Sequence, residues 1–218
     1  MELTNEQIQQ IDNRLKKRGI KYWDLRIEMV DHIVSDMETN ATTNDFKVEL
    51  EKTLRKLNWN RGLIGVNTEG WQNTNRKYRK EYYAEIIVVF KSFKNITAYI
   101  LFSIFLYTIS NFVSFNVFEI ISLGLLISPM LFFFFVTSKQ LFKKYGRSIN
   151  LDYGVSYFSF AFIMMMLPIQ FIKDFSTETQ ITAFIIFIPI LFVTTYAGYK
   201  TYKKALTRVE NMKNELAI

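Results

Sequence analysis

Residues 117–138 read VFEIISLGLLISPMLFFFFVTS, and their only charge is Glu119, third from the start. A helix that crosses the hydrocarbon core of a bilayer needs about 20 mainly apolar residues. This stretch meets that requirement. Three further runs of similar length, 96–113, 153–172 and 181–199, carry no charge at all. A helix on the surface of a soluble bundle keeps a polar stripe toward water. None of the four runs has one, so four membrane-spanning helices are expected.

The rest of the composition agrees with a chain of two halves. Half of the 218 residues are hydrophobic and 22% are charged, with 21 Phe and 12 Tyr. The first 94 residues hold 17 of the 27 Lys and Arg and 14 of the 20 Asp and Glu. The first half is therefore polar and the second apolar. There is no cysteine. Disulfides, thiol catalysis and cysteine metal sites are excluded. The opening MELTNEQIQQ has no basic segment followed by an apolar run and reads as folded sequence, not a signal peptide.

Net charge is +7, and its placement gives the topology. Arg76, Lys77, Arg79, Lys80, Lys91 and Lys94 precede the first run. Lys139, Lys143, Lys144 and Arg147 lie between the second and third. Lys200, Lys203, Lys204, Arg208 and Lys213 follow the fourth. The two other junctions, near Asn116 and Thr177, lack this excess. Basic flanks stay in the cytoplasm. Both termini and the middle loop are thus expected there, and no direct nucleic-acid binding is expected.

Within the runs the polar groups are Ser, Thr, Asn and Gln, among them Ser103, Thr108, Asn111, Ser122 and Thr195. These suit bonds to backbone carbonyls or across helices. A proton or ion relay needs an intramembrane acid, His or Lys, and none occurs away from the ends. Pro129, Pro168 and Pro189 each remove one helix hydrogen bond.

Residues 1–57 read as a cytoplasmic domain of three helices. Thr4 and Gln7 form a capping box, with Ile8, Ile11 and Leu15 on one face and Gly19 at the end. The second helix covers about 22–38. Trp23, Ile27, Val30, Val34 and Met37 make one apolar stripe on it, and Leu25, Met29 and Ile33 a second. Two stripes imply packing against two neighbours, so this is expected to be the central helix of the three, with Trp23, Ile27, Val30 and Val34 buried. The remaining sector, Asp24, Glu28, Asp31, Ser35 and Glu38 with His32 at its edge, is expected to face solvent. A third helix runs from about 44 to 57, aligning Phe46, Leu50, Leu54 and Leu57, with Thr42, Thr43 or Asn44 as its cap.

His32 is the only histidine, set among acids in RIEMVDHIVSDME, residues 26–38. Glu28 and His32 are neighbours on the helix. Neither Glu-x-x-His nor His-Glu-x-x-His is present, and no second histidine completes a site. No metal, cofactor or catalytic residue is assigned. Glu28, Asp31, His32 and Ser35 are instead candidates for a partner-docking surface.

IQQIDNRLKKRGIKYWDLRIEMVDHIVSDMETN followed by DFKVELEKTLRKL resembles the HAAS module, a short bacterial three-helix domain. The resemblance covers about the first 57 residues. Where such modules often carry a Leu-Gly-x-Pro turn, this chain has LNWN, residues 57–60. The resemblance implies a module N-terminal to membrane spans, often encoded beside PadR-type regulators, with a role in signalling or protein interaction and no catalytic residues. It extends loosely to uncharacterised bacterial four-span proteins.

Residues 58–94 connect the halves. Residues 58–75, rich in Asn, Gly and Thr, read as a linker whose Trp59, Leu63, Ile64 and Trp71 dock on the three-helix domain or the membrane surface. Tyr78, Tyr82, Ile86, Phe90 and Phe93 then give one face of a basic amphipathic helix suited to the headgroup layer. Residues 95–199 form the four-span bundle and 200–218 a cytoplasmic helix in which Ala205, Val209 and Met212 are placed to pack.

The expected architecture is all-α, a small cytoplasmic helical domain followed by a four-helix transmembrane bundle. The leading expectation is a non-enzymatic membrane protein that binds a cytoplasmic protein partner, such as a transcriptional regulator. The alternative is a channel-like or transport-related effector built from a homo-oligomer of the spans.

Overall fold

A computed structural model describes residues 2–60, 63–141 and 145–216, with the backbone alone at 64, 66, 139–141, 164–169, 171 and 216. Lys143, Lys144 and Ile218 lie outside the described residues, as do the side chains of Ile64, Lys139 and Pro168. All regular structure among the described residues is α-helical. In chain order the helices are α1 (Asn5–Lys17), α2 (Trp23–Asn40), α3 (Phe46–Lys56), α4 (Ile64–Lys91), α5 (Phe93–Phe112), α6 (Phe115–Leu141), α7 (Ile149–Ile172) and α8 (Thr177–Leu216). The chain divides into two compact units. The first comprises Met1–Arg76, Tyr145–Asp152 and Val209–Ile218, and the second Lys77–Lys144 and Tyr153–Arg208.

In the first unit α1 begins as its sequence dictates. The Thr4 side chain accepts from the Gln7 N–H, and the Gln7 side chain accepts from the Thr4 N–H. Gly19 ends the helix with φ +100°, a conformation that costs a Cβ-bearing residue. The Ile20 N–H then returns to the Leu15 carbonyl. Ile11, Leu15 and Ile20 are buried.

The buried stripe of α2 is Leu25, Met29, Ile33 and Met37, while Trp23, Ile27, Val30 and Val34 are only half-buried. Trp23, Ile27, Val30 and Val34 were expected to be buried; of that stripe only Met37 is. Both stripes are apolar, so local pattern does not choose between them; packing against the neighbouring helices does. Helix α3 is capped by Asp45, whose carboxylate accepts from the Lys47 and Val48 N–H groups. Thr42 and Thr43 do not cap it; their hydroxyls and N–H groups donate to Glu49.

The expected linker is largely helical, because α4 begins at Ile64. Gly70 permits the close approach of α2: a Cβ there would lie 2.9 Å from a methyl of Leu25. Trp71 meets the Tyr22 ring edge to face at 5.7 Å. Tertiary packing thus overrides the low helix propensity of the Asn, Gly and Thr residues.

In the second unit, α5, α6, α7 and α8 share one apolar cluster. Leu106 comes from α5, Phe118 and Leu126 from α6, Ala161 and Ile172 from α7, and Phe184, Ile188 and Leu191 from α8. Two glycines bring α7 and α8 together. A Cβ at Gly154 would stand 2.6 Å from the Cβ of Ala205, and one at Gly198 2.7 Å from the Tyr157 carbonyl oxygen. Small residues at such crossings let backbones approach. Among the described residues, three helical stretches are long and apolar enough to cross a membrane: Phe93–Phe112, Phe115–Ser138 and Thr177–Glu215. The segment after 199 is a direct continuation of α8, with Ala205 and Val209 buried.

Candidate functional site

The acidic sector of α2 divides into exposed and buried residues. Glu28, Asp31, His32 and Ser35 are exposed. Their spacing of i, i+3, i+4 and i+7 puts them on one face of the helix. Among the described residues, no hydrogen bond or ion pair holds the side chains of Asp31, His32 or Ser35. No group of three His, Asp or Glu that could hold a metal ion occurs among the described residues.

Asp24 departs from the sequence expectation. It was placed in the solvent sector, and it is fully buried. Its carboxylate receives four hydrogen bonds from residues 148–150. The Ser148 hydroxyl donates at 2.7 Å, the Ile149 N–H at 3.0 Å, the Asn150 N–H at 3.0 Å and the Asn150 side-chain amide at 2.8 Å. The first N–H groups of an α-helix have no partner within it. Asp24 supplies that partner from a distant part of the chain and sets a negative charge on the positive end of α7. Ser148 adds a local cap by accepting from the Leu151 N–H at 3.2 Å.

Neighbouring contacts complete this junction inside the first unit. The Trp23 N–H donates to the Arg147 carbonyl at 3.1 Å. Gly146, at φ +73°, lies against the Trp23 ring. The Tyr145 hydroxyl donates to Glu210 at 2.5 Å, and the Lys213 ammonium stands 5.8 Å from the centre of the Trp23 ring. The segment 145–152 and the end of α8 are therefore joined to the start of α2.

Two more carboxylates serve structure. Asp36 takes hydrogen bonds from Lys56 and Thr53, and the Lys56 ammonium holds its carboxyl below the ordinary range. Glu49 is buried. Burial acts to raise its carboxyl, but bonds from Thr42, Lys52 and Thr43 outweigh this and hold it down at about 2.

Sequence reasoning missed Asp24, Ser148 and Asn150. One local signal was available: Ser148 stands just before a helical apolar run, as an N-cap residue should. Nothing local identifies Asp24 as its partner. No family model, curated protein or solved structure matches this chain.

Proposed function

We propose that this is a non-enzymatic membrane protein with four spans and a helical domain that binds a protein partner in signalling or regulation. The spans are α5, α6, the apolar run on α7 and the apolar part of α8. The membrane is a bacterial inner membrane, with both termini and the middle loop in the cytoplasm. Three lines support this arrangement. The helices α5, α6 and α8 have the length and composition of spans. The 153–172 run has no charge and joins their apolar cluster through Ala161 and Ile172. The three segments expected in the cytoplasm, around residues 1–76, 145–152 and 209–218, make up one compact unit.

The observation that carries the partner reading is the exposure of Glu28, Asp31, His32 and Ser35 along one face of α2. Such a strip fits a partner with a basic surface, and a transcriptional regulator is one class that has it. Exposed charges of this kind steer encounter and set specificity. The channel-like reading ranks second. Hydroxyls of Thr108, Ser128 and Thr194 bond carbonyls of their own helices and supply no continuous polar path.

A photo-crosslinking residue at position 32 of the full chain, activated in cells, tests the proposal. The expected result is one discrete protein adduct that disappears in the Glu28→Lys/Asp31→Lys variant. No adduct, or the same adduct from the charge-reversed chain, would remove the docking strip.

A further inference from the structure

A cleft of about 610 Å³ opens on the second unit between α5, α8 and the end of α4. That volume is within the range of small-ligand sites. Phe102, Phe192 and Pro189 line one part of it, with the Phe102 and Phe192 rings edge to face at 5.5 Å. Asn95, Tyr99 and Tyr196 line the other and bring polar tips. Asn95 and Phe102 are seven residues apart on α5, as are Pro189 and Tyr196 on α8, which gives roughly 10 Å along each helix. The small side chains of Ala98 and Pro189, set between aromatic residues, leave the space open.

Cations without an acidic partner among the described residues stand by the polar part. Lys94 is the residue before Asn95, and the Lys200 ammonium is 5.5 Å from the centre of the Tyr196 ring. Both lysines are exposed, and among the described residues neither makes an ion pair. No side chain caps the first turn of α5 at Ser92, so its positive end faces the same place.

We propose that this cleft holds one anionic phospholipid of the surrounding bilayer. Its phosphate lies against Lys94, Lys200 and the start of α5, and one acyl chain lies along Phe102, Phe192 and Pro189. The occupant follows from the chemistry: an apolar trough on two helices of transmembrane length, ending in lysines that make no ion pair among the described residues. A zwitterionic lipid offers the same chain and lacks the net charge these lysines match. The inference rests on the membrane reading above.

The test uses the full chain in nonionic detergent with equimolar phosphatidylglycerol and phosphatidylcholine of identical chains, read by native mass spectrometry. One retained phosphatidylglycerol per chain is expected, favoured about tenfold or more from the charge of two lysines near the headgroup. Lys94→Gln/Lys200→Gln should bring the ratio close to one while a lipid is still retained. Ala98→Trp, at an exposed position, should fill the trough and lose both lipids. Equal retention by the wild type, or undiminished retention by Ala98→Trp, would overturn the site. Flotation with phosphatidylcholine vesicles separates this failure from the larger one: a chain that floats without lipid preference loses only the site, and a chain that never floats loses the membrane reading as well.

Discussion

In the first unit the buried oxygens that matter belong to carboxylates, Asp24 and Glu49, and each is satisfied by donors from elsewhere in the chain. In the second unit several threonine hydroxyls turn back on their own helices: Thr108 to Ile104, Thr194 to Ile190, Thr201 to Ala197. The apolar surfaces differ as well. The first unit encloses Ile11, Leu15, Ile33 and Leu54, whereas α5 leaves Leu101, Ile104, Phe105 and Phe112 outside. In water a buried charge must be paired and apolar side chains must be enclosed. In lipid each helix must satisfy its own polar groups, and apolar side chains are free to face outward. The enclosed core of the first unit follows the first rule, and the outward apolar side chains of α5 are those the second allows.

The largest effect on this contrast is expected from Asp24→Ala. It leaves four buried donors without their acceptor, each costing about 1–3 kcal/mol, so roughly 4 kcal/mol after partial relaxation. Trp23, Trp59 and Trp71 all lie in the first unit, so tryptophan fluorescence during denaturation reads that unit alone. The midpoint should fall sharply, and Asp24→Asn should fall less because it keeps one acceptor oxygen. An unchanged midpoint in Asp24→Ala would show that the cap on α7 contributes no stability.

Gly198→Val strikes the second unit. Its new side chain meets the backbone of Tyr157 and Phe158, at 2.7 and 2.8 Å from the Cβ alone, and neither atom can rotate away. Overpacking of this kind costs about 1–3 kcal/mol. Thermal aggregation in detergent should begin at lower temperature while the tryptophan signal of the first unit changes little. A shift of that signal equal to the aggregation shift would argue that the two units unfold together.

The Glu49 carboxyl sets a pH dependence. Its folded value is about 2 against an ordinary 4.5. A depressed carboxylate adds stability that is fully present above the ordinary value and is lost as pH falls through the folded value. Denaturation midpoints of the first unit should therefore drop between about pH 4.5 and 2, and Glu49→Gln should flatten this slope. An equally steep slope in Glu49→Gln would assign the acid sensitivity to other groups.

His32→Ala should do the least, within about 0.5 kcal/mol, as befits an exposed position without a structural partner. A larger loss in the same fluorescence assay would mean that the α2 strip supports the fold and is not reserved for a partner.

These positions also mark how far the sequence can be read. The Thr4–Gln7 box, Gly19 and three of the four apolar runs are local signals that recur in the structure where the chain places them. Both stripes of α2 were read as packing faces; that Ile33 is buried and Ile27 only half-buried is not local information, because the two are equally apolar and only the neighbouring helices distinguish them. Asp24 was misread for a related reason. A carboxylate on a helical wheel looks solvated, and the donors that bury it lie more than a hundred residues further along. Thr42 and Thr43 were reasonable caps for α3, but Glu49 recruits them and Asp45 takes the role. The face holding Glu28, Asp31, His32 and Ser35 was legible as a polar sector; which acids it spends on folding was not.

The central claim is that a polar helical unit lies on one face of a membrane crossed by the apolar helices. The chain has no cysteine, so a single introduced one reports one position. Asn116→Cys, Thr177→Cys, Glu38→Cys and Thr207→Cys all replace exposed residues. In spheroplasts treated with a membrane-impermeant maleimide, the first two should label at once, and the last two only after permeabilisation. Labelling of Glu38→Cys in intact spheroplasts, or protection of Asn116→Cys, would contradict the account.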